Sequence, residues 1–115
     1  MLRTFRSLAG IGIAATVVTI PLIFTIVAQA SPVHQDPWDV IAQCESGGNW
    51  SVNTGNGYYG GLQFSLGTWQ SYGGGAFAAT ADRATRSQQI AIAEKVLRAQ
   101  GWKAWPHCSR KVGLR

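Results

Sequence analysis

Carboxylates are scarce in this chain. Its 115 residues hold five Asp+Glu against ten Lys+Arg, for a formal charge of +5. The five acids are Asp36, Asp39, Glu45, Asp82 and Glu94, so acid–base chemistry has few candidates. Histidine and cysteine are equally sparse, at two each. His34 and His107 supply no plausible Ser-His-Asp set. Cys44 and Cys108 show neither a CxxC nor an HxxxH spacing, which argues against a metal site built on His107 and Cys108. The glycine-rich stretches lack the lysine and the strand-to-helix setting of a phosphate loop. The length excludes a TIM barrel, a complete dinucleotide-binding domain or a kinase.

Positive charge has an uneven distribution. Arg3 and Arg6 lie in the first 30 residues, residues 31–109 are neutral, and Arg110, Lys111 and Arg115 supply the rest. A nucleic-acid binder would carry its basic patch on the folded domain, so no nucleic-acid partner is expected. The same neutrality argues against a membrane-active peptide.

The N-terminus has the three parts of an export signal. Arg3 and Arg6 form the charged region, Leu8 to Ala28 the apolar region, and Ala28-Gln29-Ala30 a small-x-small cleavage site. The alternative is an uncleaved anchor, diluted by Thr16, Thr19, Pro21 and Thr25. Either way residues 31–115 are expected outside the cytoplasm, as a secreted or cell-wall protein with no stable membrane insertion after cleavage. In an exported domain two cysteines read as one disulfide, Cys44–Cys108, closing nearly the whole domain into one loop. Such a loop contributes roughly 4 kcal/mol in the chain-entropy model, useful in a domain with a small core.

The expected organisation is a signal at 1–30, a flexible lead at 31–36, a catalytic domain at 37–109 and a basic tail at 110–115 disordered from about Ser109. Asp36-Pro37 starts a helix carrying Trp38, Ile41 and Cys44, and Gly47-Gly48 stops it. Residues 53–61 are turn-rich, with Asn-Gly pairs that favour tight hairpins. Tyr58-Tyr59 and Leu62-Gln63-Phe64 are either two short strands or an ordered loop. Ser65 caps a short helix through Thr68, Trp69 and Tyr72, ended by Gly73-Gly74-Gly75. Thr85-Arg86-Ser87-Gln88 fits a capping box, and the following helix carries Ile90, Ala93 and Leu97 on one face, with Ile92 and Val96 beside it.

Glu45 falls in the last turn of the first helix, beside a cysteine and close in sequence to Trp50 and the tyrosines. Burial, aromatic walls and the negative end of the helix dipole would raise its proton affinity and suit it to general-acid work. The plainer alternative is an exposed surface glutamate. Five tryptophans are too many to bury fully in so small a domain. Trp38, Trp69 and Trp102 are expected in the core, and Trp50 is a candidate for stacking on a sugar.

Three segments then carry a resemblance: WDVIAQCESGG at 38–48, NWSVNTGNGYYGGLQFSLGTW at 49–69 and QQIAIAEKVLRAQGWKAWPHCS at 88–109. Together they closely resemble the resuscitation-promoting-factor domain of secreted actinobacterial proteins, over about residues 36–109. Glu45-Ser46 and Gly61-Leu62-Gln63 also resemble signatures of lytic transglycosylases and goose-type lysozymes. The resemblance implies an α+β, mostly helical, small lysozyme-like domain with a cleft, a short hairpin or ordered loop, and one disulfide. It implies cleavage of peptidoglycan between N-acetylmuramic acid and N-acetylglucosamine. It places Glu45 as the catalytic acid, and Tyr58, Gln63, Thr68 and Gln100 in the cleft. It further implies a role in regrowth of dormant cells, with a peptidoglycan endopeptidase as a possible partner. No metal or cofactor is implied, a monomer is expected, and no additional wall-binding domain is evident.

Most glycosidases use two carboxylates. Asp39 lies six residues before Glu45, so on one helix the two diverge by about 120°. No second catalytic carboxylate is evident among the remaining acids. A lytic transglycosylase, in which the muramyl 6-hydroxyl closes on C1, is therefore expected, with hydrolysis by water as the other outcome. The reading from another class is a non-catalytic peptidoglycan-binding or signalling protein.

Overall fold

The structure, a computed structural model, describes residues 35–115. The expected export signal and most of the expected lead lie outside the described residues. Helix α1 spans Pro37–Ser46, a two-stranded hairpin pairs β1 (Tyr58–Tyr59) with β2 (Phe64–Ser65), and α2 spans Leu66–Ser71. Two 3₁₀ turns at Gly74–Ala76 and Ala81–Arg83 lead to the long helix α3, Arg86–Gln100. A third 3₁₀ turn at Trp102–Ala104 precedes α4, Pro106–Lys111. This is a small α+β domain, mostly helical, of lysozyme-like character.

Local signals account for the helix ends. The Asp36 carboxylate accepts from the Trp38 N–H at 2.9 Å, and Pro37 needs no partner at the first helical position. Gly47, at φ 67°, takes the left-handed conformation that ends α1. Ser65 caps α2 by accepting from the Thr68 N–H at 3.2 Å. Thr85 and Gln88 exchange both hydrogen bonds of the capping box.

The hairpin forms with a shifted second strand. Tyr58 pairs with Ser65 and Tyr59 with Phe64, so its turn is Gly60 to Gln63. The Asn-Gly segments lie upstream of it. There the Asn53 and Asn56 side chains accept from the N–H groups of Gly55 and Tyr58. Gly74 does more than stop a helix. A Cβ there would sit 2.2 Å from the Trp69 ring, so only glycine lets this backbone lie against the indole.

The core lies between α1, the hairpin and α3. Trp38, Ile41, Leu62, Phe64, Trp69, Ile92, Val96 and Trp105 are buried. Trp102 is only half-buried, its ring 5.0 Å from that of Trp38, while Trp105 takes the interior place and donates its indole N–H to the Leu62 carbonyl. Helix α3 buries Gln89, Ile92, Ala93 and Val96, whereas Ile90 and Leu97 flank the core half-buried. The expected face is thus rotated, because an amide occupies a core position that hydropathy assigns to solvent.

Cys44 and Cys108 form the disulfide, across a Cα separation of 5.8 Å, tying α1 to α4. The chain beyond Ser109 is ordered, which corrects the expectation of a disordered tail. Ser109 is buried, α4 continues to Lys111, and Val112 and Leu114 pack on the core. Anchored by the neighbouring Cys108, this segment has apolar side chains to bury. Among the described residues, no helix is long and apolar enough to cross a membrane.

Candidate active site

A cleft runs past the hairpin, made of two adjoining pockets with shared walls. Tyr58, Gln63, Ala104 and Trp105 line both. The inner pocket, about 110 Å³, adds Thr68 and Gln100. The outer one, about 270 Å³, adds Glu45 and Pro106. The tertiary structure therefore gathers Glu45, Tyr58, Gln63, Thr68 and Gln100, residues spread over 56 positions of sequence, around one opening.

Each side chain is set by its element. Glu45 occupies the last turn of α1. The next residue, Ser46, donates to both the Ala42 and the Gly61 carbonyls, at 3.0 and 2.8 Å. That pins the helix end to the hairpin turn, where Gln63 sits. Gln63 has φ 55°, a left-handed conformation unusual for a residue with a side chain. Its amide donates to the Gly60 carbonyl at 3.1 Å. At the far end, the Gln100 amide donates to the Tyr72 hydroxyl at 3.0 Å.

Partial burial pushes the Glu45 carboxyl above its ordinary proton affinity, while nearby His107 pulls the other way. The disulfide causes that proximity, since Cys44 precedes Glu45 and Cys108 follows His107. The plainer reading of Glu45, a fully exposed surface acid, does not describe this environment.

All five carboxylate side chains of the protein lie among the described residues, and only Glu45 lines the cleft. Asp36 and Asp39 both pair with Arg86, at 3.1 and 2.9 Å. Glu94 accepts from the Trp38 indole N–H at 2.6 Å. Asp82 sits in a 3₁₀ turn, with Oδ1 buried and no hydrogen-bond partner.

Trp50, the residue expected to stack on a sugar, lines neither of these two pockets. Its ring packs against Gly61, so closely that a Cβ there would be 2.5 Å from it, and the Arg86 guanidinium sits 5.4 Å from its centroid. Three residues escaped the sequence reading. Trp105 and Ala104 line both pockets, and Gln89 fixes the hairpin turn from beneath. The Trp105 wall is visible in sequence only as one more tryptophan, and nothing local marks Gln89.

Relatives are numerous. The chain is 54% identical over 112 residues to resuscitation-promoting factor Rpf1 of Corynebacterium glutamicum, covering 96% of this chain and 58% of the relative. It is 49% identical over 115 residues to resuscitation-promoting factor RpfC of Mycobacterium tuberculosis, covering 99% and 79%. A family model described as a transglycosylase-like domain matches residues 32–108. The chain belongs to the resuscitation-promoting-factor family of transglycosylase-like domains. It spans 58% of Rpf1 and only 21% and 20% of two further curated relatives, so the activities of those longer proteins do not transfer by length alone. The family match covers both pockets of this resuscitation-promoting-factor domain in full, from Glu45 to Pro106.

Proposed function

We propose that this protein is a secreted, cell-wall-acting glycosidase that cleaves peptidoglycan between N-acetylmuramic acid and N-acetylglucosamine, as a lytic transglycosylase. One observation carries the reading: a single, partly buried carboxylate of raised proton affinity lines a polar cleft that holds no other. A two-carboxylate retaining or inverting mechanism needs a second acid flanking the bond. Here the substrate supplies the missing group.

Glu45, protonated, gives its proton to the glycosidic oxygen as the C1–O bond breaks. The acetamido oxygen of the same sugar stabilises the oxocarbenium-like centre. Glu45, now a carboxylate, accepts the proton of the muramyl 6-hydroxyl as that oxygen bonds C1, giving the 1,6-anhydro product. Glu45 thus returns to its acid form. Tyr58, Gln63, Thr68 and Gln100 orient the strand through hydroxyl and amide contacts. The reading includes export by residues 1–30, monomeric action, regrowth of dormant cells as the biological outcome, and cooperation with a peptidoglycan endopeptidase.

The test is mass spectrometry of soluble fragments released from purified peptidoglycan, beside a Glu45→Ala protein. Glu45-dependent anhydromuropeptides support the proposal. Reducing-end fragments move the protein to the hydrolases. Retained binding with no Glu45-dependent fragment, in folded and disulfide-bonded protein, overturns catalysis in favour of a binding or signalling role.

A further inference from the structure

A second recess is lined by Cys44, the residue that precedes Glu45. It is a groove of about 400 Å³ between α1 and α4, lined by Gln35, Val40, Gln43, Cys44, Lys111 and Val112. One wall is apolar, from Val40, Val112 and the disulfide. The rest is amide and ammonium, and no carboxylate lines it.

Charge is concentrated at this edge. On α4, His107, Arg110 and Lys111 are exposed, and at about 100° per residue they share one face. Cys108 and Ser109 face inward. Among the described residues, Arg110 and Lys111 enter no ion pair, since the only pairs formed use Arg86. The stripe begins beside Pro106, which lines the outer pocket, and ends at Lys111 in the groove. Five residues of helix rise separate those points, roughly 8 Å. An extended peptide of three residues spans roughly 10 Å.

We infer that the α1–α4 groove and the cationic face of α4 seat the acidic peptide branch of the glycan strand cut at Glu45. This inference rests on the peptidoglycan reading above. The peptide stems of such strands carry free carboxylates and small methyl side chains. Carboxylates suit Lys111 and Arg110, the peptide backbone suits the Gln35 and Gln43 amides, and methyl groups suit Val40 and Val112. A stem of three extended residues has the length to run along α4 from the outer pocket to the groove. The groove then makes stem-bearing strands better ligands than stripped ones, while the cleft alone reads the sugars.

The experiment measures binding of stem-bearing and amidase-stripped glycan strands to the Glu45→Gln protein, which cannot cut them during the measurement. The same pair is then measured on a protein that also carries Arg110→Gln and Lys111→Gln. The stem-bearing strand is expected to bind roughly three- to tenfold tighter at low salt, the range of two exposed charge pairs. That preference should fall below about twofold in the triple variant, and also in about 1 M salt, where the screening length is short. Equal binding of both strands overturns the inference. So does a preference that survives the Arg110 and Lys111 substitutions, or a loss of affinity for both strands in equal proportion. Cleavage of stripped strands by the unaltered protein reports separately on Glu45, so failure of the groove and failure of the glycosidase reading are distinct results.

Discussion

Replacing Gln89 with leucine should cripple the domain, although the side chain touches no substrate. Gln89 is fully buried. Its carbonyl accepts from the Gly61 N–H at 3.0 Å, and its amide donates to the Trp50 and Ala84 carbonyls at 2.8 and 3.0 Å. One side chain thus joins three loop segments that have no strand ladder of their own to satisfy them. Leucine keeps much of the volume and removes all three partners. The Gly61 N–H and the Ala84 carbonyl are enclosed, since both residues are buried. Each such orphan costs about 1–3 kcal/mol, while the Trp50 carbonyl lies nearer solvent. The expected loss is about 2–6 kcal/mol, a large share of the stability of a small domain. Two kcal/mol corresponds to roughly 8–16 °C in melting temperature at this size. Thermal unfolding followed by circular dichroism, with the disulfide intact, reads it directly. Gln89→Glu should also fail at neutral pH, because it keeps an acceptor for Gly61 and turns a carboxylate toward two carbonyls. A melting temperature within about 3 °C of the parent for Gln89→Leu would refute the reasoning, since no enclosed orphan is that cheap.

Glu45→Gln should abolish cleavage and raise the melting temperature at neutral pH. Burial raises the proton affinity of Glu45 in the folded state, so its contribution is full below its ordinary pKa of 4.5 and is lost as pH rises through the folded value. The stabilising effect of glutamine should therefore disappear below about pH 4; a gain independent of pH would contradict the assignment. Reducing the Cys44–Cys108 bond, which spans 64 residues of sequence, should cost about 4 kcal/mol by the chain-entropy model, checked by melting with and without reductant. Trp50→Ala should lower stability by removing the ring packed on Gly61, yet leave glycan affinity within about twofold in protein kept below its melting point. A selective loss of glycan binding would return Trp50 to the cleft.

Interactions that close within a few residues were legible in the sequence. Asp36, Ser65 and Thr85 each satisfy an N–H two or three positions on, so residue type and spacing suffice to place the starts of α1, α2 and α3. The resemblance placed Glu45, Tyr58, Gln63, Thr68 and Gln100 on cleft positions. Trp50 was a candidate instead for its aromatic ring and its closeness to Glu45 in sequence, but neighbours along a chain diverge after one turn, and its ring packs on Gly61.

The sequence by itself determined the helix starts, the single disulfide, the family and the lone candidate acid, because each is a matter of residue identity and short spacing. The tertiary structure decided what depends on partners distant in the chain. It rotated the buried face of α3 toward Gln89, whose three partners lie five to 39 residues away. It ordered the basic tail against the core, and engaged three of the other four carboxylates away from the cleft. Burial and hydrogen-bond satisfaction are properties of packed surroundings, and those surroundings exist only once separate segments meet.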